Sequence, residues 1–92
     1  MSKSTRKRKG EEIASLYPIE LETYLSAGYS NYKLGKFREA IDSFEKVTKI
    51  DPNHIKTHFY LGHSYLRLSE FSKAITHFEK VTSLNPKYSY LF

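Results

Sequence analysis

The chain has no cysteine and no tryptophan, and only one methionine among its 92 residues. Without thiols it can form no disulfide and offers no thiolate to a metal, which fits an intracellular home. No apolar run approaches the roughly 18–20 residues that cross a bilayer, so no membrane span is expected. The first ten residues lead into Glu11-Glu12 instead of an apolar stretch, so they do not read as a secretory signal. A glycine-rich phosphate loop and a nucleophile elbow are missing too. Ser, His and acidic residues occur, as in any small chain, with no pattern that converges them. The expectation is a protein that is not an enzyme and takes no cofactor.

Acid is missing from residues 1–10, where Lys3, Arg6, Lys7, Arg8 and Lys9 give +5, equal to the net charge of the whole chain. The remaining ten basic residues are balanced by ten acidic ones. The basic pI thus describes a tail and not a basic globular surface, which weakens any whole-domain nucleic-acid reading. The tail has the composition of a disordered arm. It reads first as a solubilising arm, and otherwise as a nuclear import signal or a contact for nucleic acid or anionic membrane. Five charges would give nucleic acid only weak, salt-sensitive binding. A cytoplasmic location is expected, with a nuclear one as the second reading.

What the chain does have is a repeat. Phe-Glu-Lys-Val-Thr occurs at residues 44–48 and again at 78–82. Laying residues 21–54 over 55–88 without gaps keeps Gly28/Gly62, Leu34/Leu68, Phe37/Phe71, Ala40/Ala74, Ile41/Ile75, Phe44/Phe78 and Pro52/Pro86, among other identities. Phe37, Ala40, Ile41, Phe44, Val47 and Thr48 recur at helical spacing, and so do their partners 34 residues on. Gly35 is placed to end one helix in a left-handed conformation. Asp51-Pro52-Asn53 and Asn85-Pro86-Lys87 close the second helix of each unit. Ser69 replaces glycine at the second inner turn, as a strained residue or as an N-cap. Helices are predicted over about 20–34, 37–50, 55–68 and 71–84.

The spacing and the residues Gly28, Gly35, Phe37, Ala40, Phe44 and Pro52, then Leu61, Gly62, Tyr65, Phe71, Ala74, Phe78 and Pro86, resemble the tetratricopeptide repeat. The family's tryptophan slot holds Tyr24 and His58, its Leu-Gly pair reads Ala27-Gly28 and Leu61-Gly62, and Asn31 stands where an aromatic is preferred. The resemblance implies an all-α fold of two stacked helix-turn-helix repeats forming a short right-handed α-solenoid. Repeat 1 would span residues 21–54 and repeat 2 residues 55–88, after the tail and a short leading segment at 11–19. Residues 89–92 would open a further helix. Arrays of this kind bury their core by stacking, and three repeats are the usual minimum. The outer face of helix 71–84 should therefore be partly bare, to be covered by a second copy or by a partner.

The resemblance also implies a site. First helices of such repeats line a concave face that holds extended peptides or partner helices. Carried over by spacing, that face presents Leu25, Tyr29, Tyr32 and Lys33 from the first unit, with Glu22 and Ser26 beside them. The second unit presents Lys56, Phe59, Tyr60, His63 and Arg67, with Leu66. Aromatics with basic neighbours suit a segment with apolar side chains and some acid. The expected function is a protein–protein interaction module, an adaptor or assembly factor. The alternative is a nuclear or nucleic-acid-associated factor that uses the tail, with the repeats as its oligomerisation unit. The acidic-tail clamp of chaperone-binding members is not expected, because Leu25, Tyr29 and Tyr60 occupy its slots. His54 and His58 have the spacing of helical zinc ligands. They read instead as surface and core residues, with His63 and His77 also on the surface, and no metal site is predicted.

Overall fold

A computed structural model describes residues 19–87 of the chain. The basic tail (Lys3, Arg6, Lys7, Arg8, Lys9), the leading segment up to residue 18, the last residue of repeat 2 and residues 89–92 lie outside the described residues. Four helices follow one another: α1 over residues 19–33, α2 Phe37–Ile50, α3 Ile55–Arg67 and α4 Phe71–Leu84. The described residues contain no strand. Helices α1 and α3 each end one residue earlier than the spacing predicts.

Both inner turns are built alike. Lys36 N–H donates to Asn31 O at 2.8 Å and Gly35 N–H to Tyr32 O at 3.1 Å. Thirty-four residues on, Glu70 N–H donates to Tyr65 O and Ser69 N–H to Leu66 O, each at 2.9 Å. This double bond pattern caps the orphan carbonyls of a helix end and requires a left-handed residue at its centre. Gly35 meets that requirement with φ 81° and Ser69 with φ 62°. A non-glycine residue pays about 1–2 kcal/mol for that conformation, so of the two sequence readings of Ser69 the strained one holds. Glu70 occupies the N-cap of α4, without a side-chain cap. The cap of α3 is His54, whose Nδ1 accepts from Thr57 N–H at 3.3 Å.

The two hairpins stack. Ala40, Ile41 and Phe44 of α2 meet Leu61 and Tyr65 of α3 and Ala74 of α4 in one cluster, with Leu25, Tyr32, Tyr60, Leu68 and Phe78 packed against it. Phe44 and Leu61 are fully buried, as are Val47 and Val81 in essence. The aromatic stripe of each second helix is thus the seam of the array, and small residues let the first helices reach it. A Cβ on Gly28 would stand 2.6 Å from the Phe44 ring, and one on Gly62 would stand 2.5 Å from the Phe78 ring. The fold is all-α, two helix-turn-helix units stacked as a short solenoid.

The repeat provides its own comparison at the far end. Ile41 is 4% exposed beneath α3, whereas its counterpart Ile75 is 54% exposed on α4. Phe37 is half-buried, with the Arg67 guanidinium 4.8 Å above its ring, whereas Phe71 is 57% exposed. Identical residue types therefore face a neighbouring helix in one unit and open surface in the other.

Candidate functional site

The first helices α1 and α3 lie side by side, and between them opens a groove of about 350 Å³. Its walls are Leu25, Ser26 and Tyr29 from α1 and Lys56 and Tyr60 from α3, with Phe44 of α2 at the base. The local reasons are spacing and packing. Leu25, Ser26 and Tyr29 fall within four residues on one helix face, as do Lys56 and Tyr60. Tyr60 is held flat on Phe44, their rings 5.6 Å apart and inclined by only 10°. Tyr29 meets Tyr60 edge-on at 5.5 Å, and burial together with the neighbouring Tyr29 raises the Tyr60 phenol's pKa above its ordinary value. Lys33 places its ammonium 5.3 Å from the centre of the Tyr29 ring.

The predicted concave face separates here into two groups. Leu25, Tyr29, Lys56 and Tyr60 converge on the groove, and Lys33 lies at its rim. The other four face residues make contacts inside the array. Tyr32 packs edge-on against both Phe37 and Tyr60. Phe59 meets Tyr60, His63 and Phe78. His63, half-buried, also meets Phe78, and its burial lowers its basicity. Arg67 is spread over Phe37. Sequence reasoning missed Phe44 as a groove residue because its helical stripe marks it, correctly, as core. A core ring that also floors a groove gives no separate signal in the spacing.

A second polar constellation joins α2, α3 and α4, where the sequence reading assigned His77 to the surface. His77 is half-buried, and its Nδ1 lies 3.0 Å from Nδ1 of His58, itself 7% exposed. The tautomers follow from the partners. Nε2 of His58 is 2.6 Å from Pro52 O, which can only accept, so Nε2–H donates and Nδ1 accepts from His77 Nδ1–H. The His77 ring stacks on Tyr65 at 5.6 Å, and the Tyr65 hydroxyl donates to Glu45 Oε2 at 2.7 Å. Burial raises the Tyr65 phenol's pKa well above its ordinary value, with help from that bond and the Glu45 charge. Glu70 takes an ion pair from Arg38 and another from Lys73 at 3.5 Å, tying α2 to the start of α4. The Arg38 hydrogen bond lowers the Glu70 carboxyl's pKa. No group of three metal-ligand side chains occurs among the described residues.

The histidine contact makes stability depend on pH. Burial first, and then the facing His58, lower His77's pKa, with Glu45 partly offsetting them. A histidine whose folded pKa is depressed gives a contribution that is complete above the ordinary imidazole value of about 6.5 and is lost as pH falls below it. His77 can take a proton on Nε2 and still donate through Nδ1. That proton nevertheless places a charge in a half-buried site beside the His58 ring, and this cost is what holds the folded pKa down. The melting midpoint should therefore fall as pH drops from about 7.5 to about 5, through the ordinary imidazole range. His77→Phe should reduce the dependence to the part that His63, also lowered by burial, contributes, and an unchanged slope in that variant would reject the assignment.

No helix among the described residues is long and apolar enough to cross a membrane. No curated protein matches the chain. One family model does match, across residues 12–90, and it is not a tetratricopeptide family, so the resemblance drawn from the repeat is corrected. The reason is physical. A 34-residue period with glycines at helix crossings and phenylalanines between helices is what stacked helical hairpins require, so it reports the fold and not which family carries it. The departures at Tyr24, Ala27, Asn31 and His58 lie in the slots where the repeat family would carry its own signature. The match covers most of the chain, and the chain belongs to the family described as Regulator of microtubule dynamics protein 1-3.

Proposed function

We propose that this chain is a non-enzymatic interaction module, whose groove between α1 and α3 holds a segment of a protein partner. The family's description concerns the regulation of microtubule dynamics, and a small adaptor in such regulation is the role that suits this fold. The observation that carries the reading is the groove itself. Tyr29 keeps 44% of its surface exposed beside a cavity floored by packed rings. Aromatic anchor points in a concavity are where binding energy concentrates.

A clean test must spare the core. Tyr60 lies on Phe44, so Tyr60→Ala would confuse lost binding with lost packing. Ser26 is exposed on the groove wall, and Ser26→Trp should fill the space from one side without touching the seam. In quantitative affinity capture from lysate, Ser26→Trp and Tyr29→Ala should each lower specific partner recovery about tenfold, equal to about 1.4 kcal/mol. Circular dichroism should stay that of the unaltered chain. Full recovery with a filled groove would place docking elsewhere.

The bare face of α4 supports a second reading, self-association. Phe71 and Ile75 are the residue types that α3 covers in the first unit, and we place a second copy against them. Sedimentation should show average mass rising with concentration, and Ile75→Glu should return a monomer. A constant monomer mass for the unaltered chain up to about millimolar concentration, where Kd corresponds to only ~4 kcal/mol, would reject it.

A further inference from the structure

The charge around the groove selects among partner segments. Among the described residues its lining contains one charged side chain, the cation of Lys56, and no acid. Lys56 pairs with no carboxylate among the described residues, although the fold does form such pairs elsewhere, at Arg38–Glu70 and Lys73–Glu70. Lys33, over the Tyr29 ring, likewise pairs with no carboxylate among the described residues. Glu22 lies on the same helix, one turn before Ser26, but it does not line the groove and pairs with neither lysine. The remaining lining groups are an aliphatic chain, aromatic rings and hydroxyls: Leu25, Phe44, Tyr29, Tyr60 and Ser26. A volume of about 350 Å³ is at the lower end of ligand cavities, which suits one large side chain and not a whole helix face.

We infer that the groove takes a protein segment carrying one large apolar side chain with a carboxylate beside it. The side chain enters between α1 and α3, against Leu25, Phe44 and the joined Tyr29 and Tyr60 rings, and the carboxylate meets the Lys56 ammonium. This inference rests on the groove being the docking site. A basic segment would place like charges together at Lys56 and Lys33, and like-charge contacts are what discriminate partners. An uncharged apolar segment would leave both cations uncompensated while burying the ring surface around them.

The experiment is panning of a random peptide display library against the full chain, in parallel with Lys56→Glu and Ser26→Trp. All three proteins are first checked for unchanged helicity. The unaltered chain should enrich peptides with Asp or Glu within two residues of Trp, Phe or Leu, by about tenfold over the input. Lys56→Glu, which reverses the charge in the groove, should lose that acidic bias and enrich Lys or Arg beside the same apolar residues. Ser26→Trp should enrich neither. Apolar peptides with no acidic bias, or an acidic bias that survives Lys56→Glu, would overturn the inference and leave the groove as a docking site. Equal enrichment by the unaltered chain and Ser26→Trp would remove the groove reading itself, and the inference with it.

Discussion

Phe44→Ala should leave the chain mostly unfolded at room temperature. Phe44 is fully buried, lies on Gly28 and stacks on Tyr60, so its removal empties the centre of the seam between the helices. Phe→Ala changes at such sites cost about 3–5 kcal/mol, combining lost transfer energy with an unfilled cavity. Small domains have little to spare, with total stabilities near the lower end of about 5–15 kcal/mol. Phe78 is the same residue one repeat later and supplies the control. It is only half-buried, so Phe78→Ala should cost clearly less. Urea unfolding followed by helical ellipticity measures both. Equal losses would mean that the two repeats are equally supported, against the difference in burial. Phe44→Leu, which keeps volume in the core but removes the flat floor of the groove, should recover most of the stability and little of the partner binding.

That pair of residues also shows how far the sequence could be read. Phe44 and Phe78 recur in identical pentapeptides, and helical spacing alone was enough to place both on the inward stripe. The glycines facing them, the left-handed turn at Gly35 and the bare end of α4 follow from the same period. The family did not follow, because the residues that generate the period are packing residues, which specify a fold and not a family. The groove was legible only in part. Spacing puts Leu25, Tyr29, Lys56 and Tyr60 on first-helix faces, yet it cannot tell an aromatic that faces open space from one consumed by a neighbour, as Tyr32 and Phe59 are. That depends on the separation of α1 and α3, which is set by side chains from both helices and from α2. His77 was hidden for a similar reason. A histidine on the outer side of its own helix pattern becomes interior once His58 and Tyr65 of the adjacent helix reach it.

Gly28→Ala and Gly62→Ala put the same methyl group into equivalent crossings, and they should not have the same effect. On an isolated helix each change would help, since alanine is favoured over glycine by about 1 kcal/mol. Here the new Cβ would stand 2.6 Å from two atoms of the Phe44 ring in one case and 2.5 Å from the Phe78 ring in the other. Such distances are well inside carbon–carbon contact, so something has to move. Phe44 cannot, because it is fully buried between α1 and the Tyr60 ring, and to shift it would displace Tyr60 and the Tyr29 contact with it. Overpacking of this kind costs about 1–3 kcal/mol, more than the gain in helix propensity. Phe78 packs on His63 and Phe59, which are themselves half-buried, and its ring can yield toward solvent. Gly28→Ala should therefore lower the urea midpoint and also weaken groove binding, through the displaced tyrosines. Gly62→Ala should lower the midpoint less and leave binding intact. If Gly62→Ala proves the more damaging of the two, then the second crossing, not the first, carries the rigid contact, and the groove does not depend on the Gly28–Phe44 approach.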